Sequence, residues 1–106
     1  MQFYKLMKNI ISGLNKIFDN RIRLGIMSIL TVSDWVDFNS LKEMLELTDG
    51  NLSSHIGSLE KHGFVETRKQ FLGKKPKTSF RITQTGRTEF SRHIDALEAM
   101  IKEQKQ

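Results

Sequence analysis

The chain has 106 residues, of which 27% are charged and 38% hydrophobic, and its formal net charge is +5. The length indicates one domain over residues 1–106, and the absence of cysteine excludes disulfides, thiolate metal sites and a cysteine nucleophile. No apolar run is long enough to span a bilayer, and the N-terminus has no continuous signal-peptide core, so we expect a mature cytoplasmic protein.

Apolar residues at helical spacing dominate the first part of the chain. They predict an N-terminal helix over residues 1–18, which the sequence "FDN" ends, and a second helix over "RIRLGIMSILTV", which Asp19 or Asn20 can cap. We predict a loop at "SDW" and a short third helix, "FNSLKEMLEL", with Asp37 as its N-cap. A turn of only a few residues, "ELTDG", follows.

A fourth helix, a hairpin and a long last helix complete the chain. Thr48 can cap the fourth helix, which runs to about Lys61 and ends near Gly63. The alternating sequence "FVETRKQF" predicts a strand, "LGKKPKT" a turn and "SFRIT" a second strand, after which Thr83 can cap a helix over residues 84–104. This order predicts a mainly α fold with a small β-hairpin: a winged helix-turn-helix over residues 20–83 with extra terminal helices.

Several motifs together carry a family resemblance. The sequence "TDGNLSSHIGSLEKHGFVE", the lysine-rich hairpin and "TQTGR" resemble the MarR/ArsR-like winged-helix transcriptional regulators over about residues 21–97. The resemblance is strongest to a short single-domain group whose recognition helix reads "TDGNLSSHI". It implies a dimeric DNA-binding repressor or activator. Effectors in that family often bind near the dimer interface, and this sequence identifies no effector.

The fourth helix has an outer face suited to DNA. Leu52, Ile56 and Leu59 share its inner face, and the opposite face is narrow, with small polar residues and Gly57. Such a face can enter the major groove, which is about 12 Å wide. A filler surface would favour better helix formers, which argues against the alternative of capping and solvated residues. The candidate DNA-contacting residues here are Thr48, Asn51, Ser53, Ser54, His55, Ser58 and Lys61.

The hairpin concentrates the positive charge. Residues 61–81 contain seven basic residues and one acid, Glu66, which suits phosphate contact, although a solvated basic loop would have the same composition. The candidate contacts are Arg68, Lys74, Lys75 and Lys77. Arg68 or Arg81 can instead pair with Glu66 on the sheet. The exposed helix face offers no arginine to guanine, so phosphate contacts and DNA shape are expected to contribute to selectivity.

The first and last helices carry more apolar surface than a small winged core can cover. Their stripes can pair within one chain or between two chains, and we favour a homodimer because paired half-sites suit a symmetric reader. The predicted interface residues are Phe3, Met7, Ile10, Leu14, Phe90, Ile94, Leu97 and Ile101.

Other chemistry finds little support in the sequence. The three histidines show no zinc spacing, and His93 with Asp95 and Glu98 is more typical of a solvated helix face than of a metal site. Trp35 is expected in the core or at an interface. We therefore predict no enzyme, no metal and no cofactor. The expected partner is double-stranded DNA, and no membrane partner is predicted. The alternative is a winged-helix module that binds an acidic protein.

Overall fold

The computed structural model describes residues 2–105, and its element order is that of a winged helix. Five α-helices and a short 3-10 helix combine with three strands. The helices are α1 (Gln2–Ile11), α2 (Arg21–Thr31), α3 (Phe38–Leu45), α4 (Asp49–Lys61) and α5 (Gln84–Gln104), with the 3-10 helix at Lys16–Phe18. The strands are β1 (Val36–Asp37), β2 (Val65–Leu72) and β3 (Lys75–Ile82). The predicted fold class is confirmed.

The helix starts follow local capping chemistry. The side chains of Asn20, Asp37, Thr48 and Thr83 each accept a hydrogen bond from a backbone amide in the first turn of α2, α3, α4 and α5, respectively. Each satisfies an amide that has no partner within its helix. These four predicted caps are confirmed, and Asn20 rather than Asp19 caps α2.

The N-terminal helix is shorter than predicted, because it ends at Ile11 and not at residue 18. The chain then turns at Gly13, where a Cβ atom would lie 3.2 Å from the Cβ atom of Ala96 on α5. Asn15 caps the 3-10 helix that follows. The turn delivers Phe18 into the core, where its ring stacks against those of Phe64 and Phe90. Phe18 therefore belongs to the core and not to the stripe of the first helix.

The sheet is larger than the predicted hairpin. Strand β1, which falls within a segment predicted as a loop and a cap, pairs with β3 in the strand order β1-β3-β2. The predicted seven-residue turn contracts to Gly73 and Lys74, because Leu72 and Lys75 already pair across the hairpin. Gly73 has a φ of +67°, a conformation that glycine adopts without steric cost. Strand β3 of the wing is therefore longer than the sequence indicated.

The core forms where α2, α3, α4 and the sheet meet. Its fully buried side chains are Phe18, Ile26, Met27, Leu30, Leu41, Leu52 and Leu59. Phe90 joins this cluster and is 5% exposed, so its assignment to a dimer interface is corrected: it faces the core of its own chain.

His93 is buried, contrary to the prediction of a solvated face. Its Nδ1 atom accepts a hydrogen bond from the backbone amide of Asn15 at 3.0 Å, and its ring lies edge-on to that of Phe18. Burial lowers the pKa of His93, and the nearby charge of Asp19 opposes that shift. His93 therefore joins the segment after α1 to α5, as a neutral packing residue.

Candidate nucleic-acid interface

A tight turn sets the angle between α3 and α4. Glu46 ends α3 with a φ of +52°, a left-handed conformation that is uncommon outside glycine. The amide of Leu47 donates to the carbonyl of Lys42 at 3.0 Å, and the ammonium group of Lys42 lies 2.8 Å from the carboxylate of Asp49 in the first turn of α4. The turn and this ion pair fix the start of α4 relative to α3.

The two faces of α4 differ as the sequence predicts. Leu52, Ile56 and Leu59 are buried against the body. The outer side is polar and small, and its exposed members are Asn51, Ser53, Ser54, Gly57 and Lys61, with Ser58 half-buried. Within residues 2–105, a Cβ atom built at Gly57 would meet nothing within 4 Å beyond its own helix backbone and chain neighbours. Packing within the described chain therefore does not require glycine at position 57. A ligand that approaches this face of α4 closely would explain why the position has no side chain.

The cap at Thr48 does not involve the side chain of Asn51. The Thr48 hydroxyl oxygen accepts from the backbone amide of Asn51 at 3.2 Å. The Asn51 carboxamide is exposed and is available to a ligand. Capping and base contact, which were weighed as alternatives for this residue, therefore use different atoms.

His55 is linked to the body of the domain by Arg23. The Arg23 guanidinium lies 3.0 Å from Nδ1 of His55, and its Nε atom donates to the carbonyl of Ile17 at 2.6 Å. Burial and then the charge of Arg23 lower the pKa of His55, which favours the neutral ring. Sequence reasoning missed Arg23, because 32 residues separate it from His55 and no local pattern connects them.

The base of the wing is held by side chains on both faces of the sheet. On the face toward α4, the Thr67 hydroxyl donates to the carboxylate of Glu60 at 2.6 Å. On the opposite face, the ring of Trp35 contacts the guanidinium groups of Arg68 and Arg81, whose central carbons are 4.3 and 4.5 Å from its centre. These contacts are cation–π interactions.

The structure distinguishes the two arginines of the wing. Arg81 pairs with Glu66 through Nε at 2.7 Å, and its guanidinium approaches Asp34 at 3.9 Å. Arg68 stacks on Trp35, and its buried Nε atom has no hydrogen-bond partner among the described residues. Arg68 therefore supports the base of the wing, which weakens its candidacy for phosphate contact.

The tip of the wing presents free cations. Lys74, Lys75 and Lys77 are exposed, as is Lys69, one of the seven basic residues of this region but not one of the candidate contacts. These residues form no ion pair within residues 2–105. Lys61 at the end of α4 is exposed as well, so both α4 and the wing present lysines to solvent.

Residues 2–105 contain no group of three or more histidine, cysteine, aspartate and glutamate residues arranged to hold a metal ion. They also contain no helix whose length and hydropathy would allow it to cross a membrane.

A family model described as a winged helix DNA-binding domain matches residues 22–101. This chain belongs to that family. The matched segment of the winged helix domain contains α3, α4 and the whole wing, so it includes every candidate DNA-contacting residue.

Individual relatives agree with the family assignment. An uncharacterized protein of Methanocaldococcus jannaschii, MJ0432, is 44% identical over 79 residues, which cover 74% of this chain and 86% of the relative. The structure of a transcriptional regulator homologue from Pyrococcus horikoshii OT3 has a TM-score of 0.83 and 35% identity, covering 96% of this chain and 99% of that one.

A more distant structure shares the fold. A MarR-family transcriptional regulator from Silicibacter pomeroyi has a TM-score of 0.65 at 16% identity, covering 99% of this chain and 73% of that one. The family assignment supports a DNA-binding domain in this chain.

Proposed function

We propose that this winged helix domain is a sequence-specific regulator that binds double-stranded DNA as a homodimer, with α4 in the major groove. The observation that carries the proposal is the outer face of α4, which is narrow, polar and exposed, beside a hairpin tip of exposed lysines. Major-groove entry needs a slim helix face, and the wing lysines suit the phosphate backbone or the minor groove. The narrower placement among MarR/ArsR-like regulators rests on the quoted motifs.

The proposed contacts divide by position. On α4 and its cap they are Thr48, Asn51, Ser53, Ser54, Ser58 and Lys61, with His55 at the flank; on the wing they are Lys74, Lys75 and Lys77. The helix residues are proposed to read base edges and adjacent phosphates, and the lysines to bind the backbone as point charges. Arg68 is proposed to act through Trp35, by holding the wing in place.

Binding to duplex is expected to depend steeply on salt. Each neutralised phosphate contributes a slope of about −0.9 in log K against log salt. Four lysine contacts per protomer therefore predict a slope of roughly −3.6 for one protomer and roughly −7 for the homodimer. Fluorescence anisotropy with a labelled duplex at several salt concentrations measures the slope. Absence of binding at low salt, or an affinity that does not change with salt, would contradict the proposed function.

Gly57→Ala is expected to weaken DNA binding while stabilising the protein. Because a Cβ atom at this position meets nothing in the fold, alanine should raise the free energy of unfolding by up to about 1 kcal/mol through helix propensity. A methyl group on the groove-facing side should cost about 1–3 kcal/mol of duplex affinity, as in an overfilled contact. Urea unfolding and anisotropy measure the two effects.

The matched control for Gly57→Ala is Ser28→Ala, an exposed helical position on α2 away from the proposed interface. It should leave duplex affinity unchanged. If the Gly57→Ala protein is more stable and binds duplex as tightly as the unchanged protein, the proposed position of α4 in the major groove is wrong.

The homodimer is proposed from apolar surface that remains uncovered in the chain. Ile10 on α1 is buried, and α1 lies against α5, so part of the predicted pairing occurs within one chain. Other stripe residues stay exposed, and these are Phe3, Leu6, Ile11, Ile94 and Ile101. Three further predicted interface residues are half-buried, and these are Met7, Leu14 and Leu97. A second copy of the chain would cover this surface.

Replacing Leu97 and Ile101 together with glutamate is expected to convert a dimer into a monomer. Each substitution places an unpaired charge in the proposed apolar interface. Light scattering gives the mass of both proteins, and far-UV circular dichroism verifies that the variant is folded. Val32→Glu, at an exposed apolar residue outside the stripe, is the control and should remain dimeric. A monomeric unchanged protein at tens of micromolar would contradict the homodimer.

A further inference from the structure

Two large apolar side chains lie exposed near the tip of the wing. Phe71 is 74% exposed and Leu72 is 60% exposed, and their partners across the hairpin are Pro76 and Lys75. Every residue from 69 to 77 is exposed, and Pro76 and Lys77 share a shallow cleft with Phe38 and Asn39 at the start of α3. A two-stranded ribbon with so little packing is marginal, and exposed apolar residues on it favour aggregation. A ligand that covers these two side chains would explain why they are exposed in the isolated chain.

The charge around these side chains identifies the kind of ligand. Residues 69–77 contain four lysines and no acidic residue. A partner must therefore combine negative charge at its edges with an apolar surface between them. The DNA minor groove has this arrangement, because two rows of phosphates flank stacked base pairs across a width of about 6 Å.

The position of Phe71 fits a ligand already bound by α4. Side chains alternate along a strand, and Phe71 lies four residues beyond Thr67, so both lie on the same face of β2. Thr67 is bonded to Glu60 of α4, which identifies this face as the one toward the recognition helix. Four residues of strand span about 13 Å. The ring therefore lies on the side of the wing toward α4, displaced along the ribbon toward its tip.

We propose that Phe71 inserts between base pairs of the minor groove next to the site of α4 and bends the duplex. The inference rests on the proposed DNA binding and adds a wedge to it. Phenylalanine, leucine and proline are the side chains that architectural proteins insert at base steps, and the tip carries one of each. Lysines on both sides of the hairpin bind the flanking phosphates. The free-energy cost of insertion depends on how easily the base step unstacks, and therefore on its sequence. Insertion would thus add selectivity to the face of α4, which has no arginine.

The test compares Phe71→Ala with the unchanged chain on labelled duplexes of about 30 base pairs. Energy transfer between dyes at the two ends reports bending, and 2-aminopurine placed at successive positions brightens where a base unstacks. The unchanged chain should shorten the end-to-end distance and brighten one step. Phe71→Ala should lose both signals and roughly tenfold in affinity, with an unchanged salt slope because an apolar contact releases no counterions.

Two controls separate the wedge from the charges of the tip. Lys75→Ala should reduce the salt slope and keep the bend, and Val32→Ala, at an exposed apolar residue on another surface, should change neither. If Phe71→Ala bends and unstacks the duplex as the unchanged chain does, the wedge is overturned and the DNA-binding proposal stands. If the unchanged chain binds no duplex at low salt, both proposals fall. If the unchanged chain binds phosphatidylserine vesicles and Phe71→Ala loses that binding but still bends the duplex, the tip binds a membrane and the wedge is overturned.

Discussion

Gly86→Ala is expected to lower the free energy of unfolding by about 3 kcal/mol or more. A Cβ atom at Gly86 would lie 2.1 Å from the carbonyl oxygen of Phe64 and 2.9 Å from its carbonyl carbon. This neighbour is backbone, and the same oxygen accepts from the amide of Thr83 at 3.0 Å. To relieve the clash, the segment after α4 would have to move away from the start of α5. Because backbone must move, we expect a cost at the upper end of the range for overpacking.

Urea unfolding measures the effect of Gly86→Ala as a change in midpoint at constant slope. Two other glycines are matched controls. At Gly25 the added atom meets only the side-chain end of Leu45 at 2.9 Å, so Gly25→Ala should cost much less. Gly57→Ala should be neutral or stabilising. A Gly86→Ala protein with an unchanged midpoint would show that the contact between α5 and Phe64 is looser than described.

Asn51→Ala and Lys75→Ala are expected to weaken DNA binding in different ways. Loss of the Asn51 carboxamide should cost about 1–3 kcal/mol on a preferred duplex and little on random duplex, because its contact depends on base identity. Loss of the Lys75 ammonium should weaken both duplexes alike and reduce the salt slope by roughly one unit. A preferred duplex selected from a random pool and a scrambled duplex, each titrated at several salt concentrations, provide the comparison.

The structure makes Asn51→Ala a clean test. The α4 cap uses the backbone amide of Asn51 and the hydroxyl of Thr48, so the substitution leaves that hydrogen bond in place. Asn9→Ala on α1 and Lys102→Ala on α5, both at exposed positions, are the matched controls and should leave binding unchanged. If Asn51→Ala weakened both duplexes equally and Lys75→Ala erased the preference, the helix would bind the backbone and the wing would read the sequence.

Local chemistry in the sequence was sufficient to predict most of the elements. Asp37, Thr48 and Thr83 were identified as caps because a capping side chain bonds an amide about three residues ahead, a relation that short-range sequence contains. The inner face of α4 followed from the spacing of Leu52, Ile56 and Leu59, since helical period alone decides which residues point together. The charge of the wing tip likewise needs no fold, because four lysines in nine residues are charged in any conformation.

Contacts between distant segments were decided only by the tertiary structure. Strand β1 has two residues and exists because β3, over forty residues later, supplies its hydrogen bonds. That same pairing places Trp35 against Arg68 and Arg81. The first helix ends before the turn at which Gly13 lies close to α5. Sequence determined what each segment favours by itself. Two further properties depend on the neighbours that folding brings within a few ångströms: which glycine tolerates an added methyl group, and which arginine is already paired within the chain.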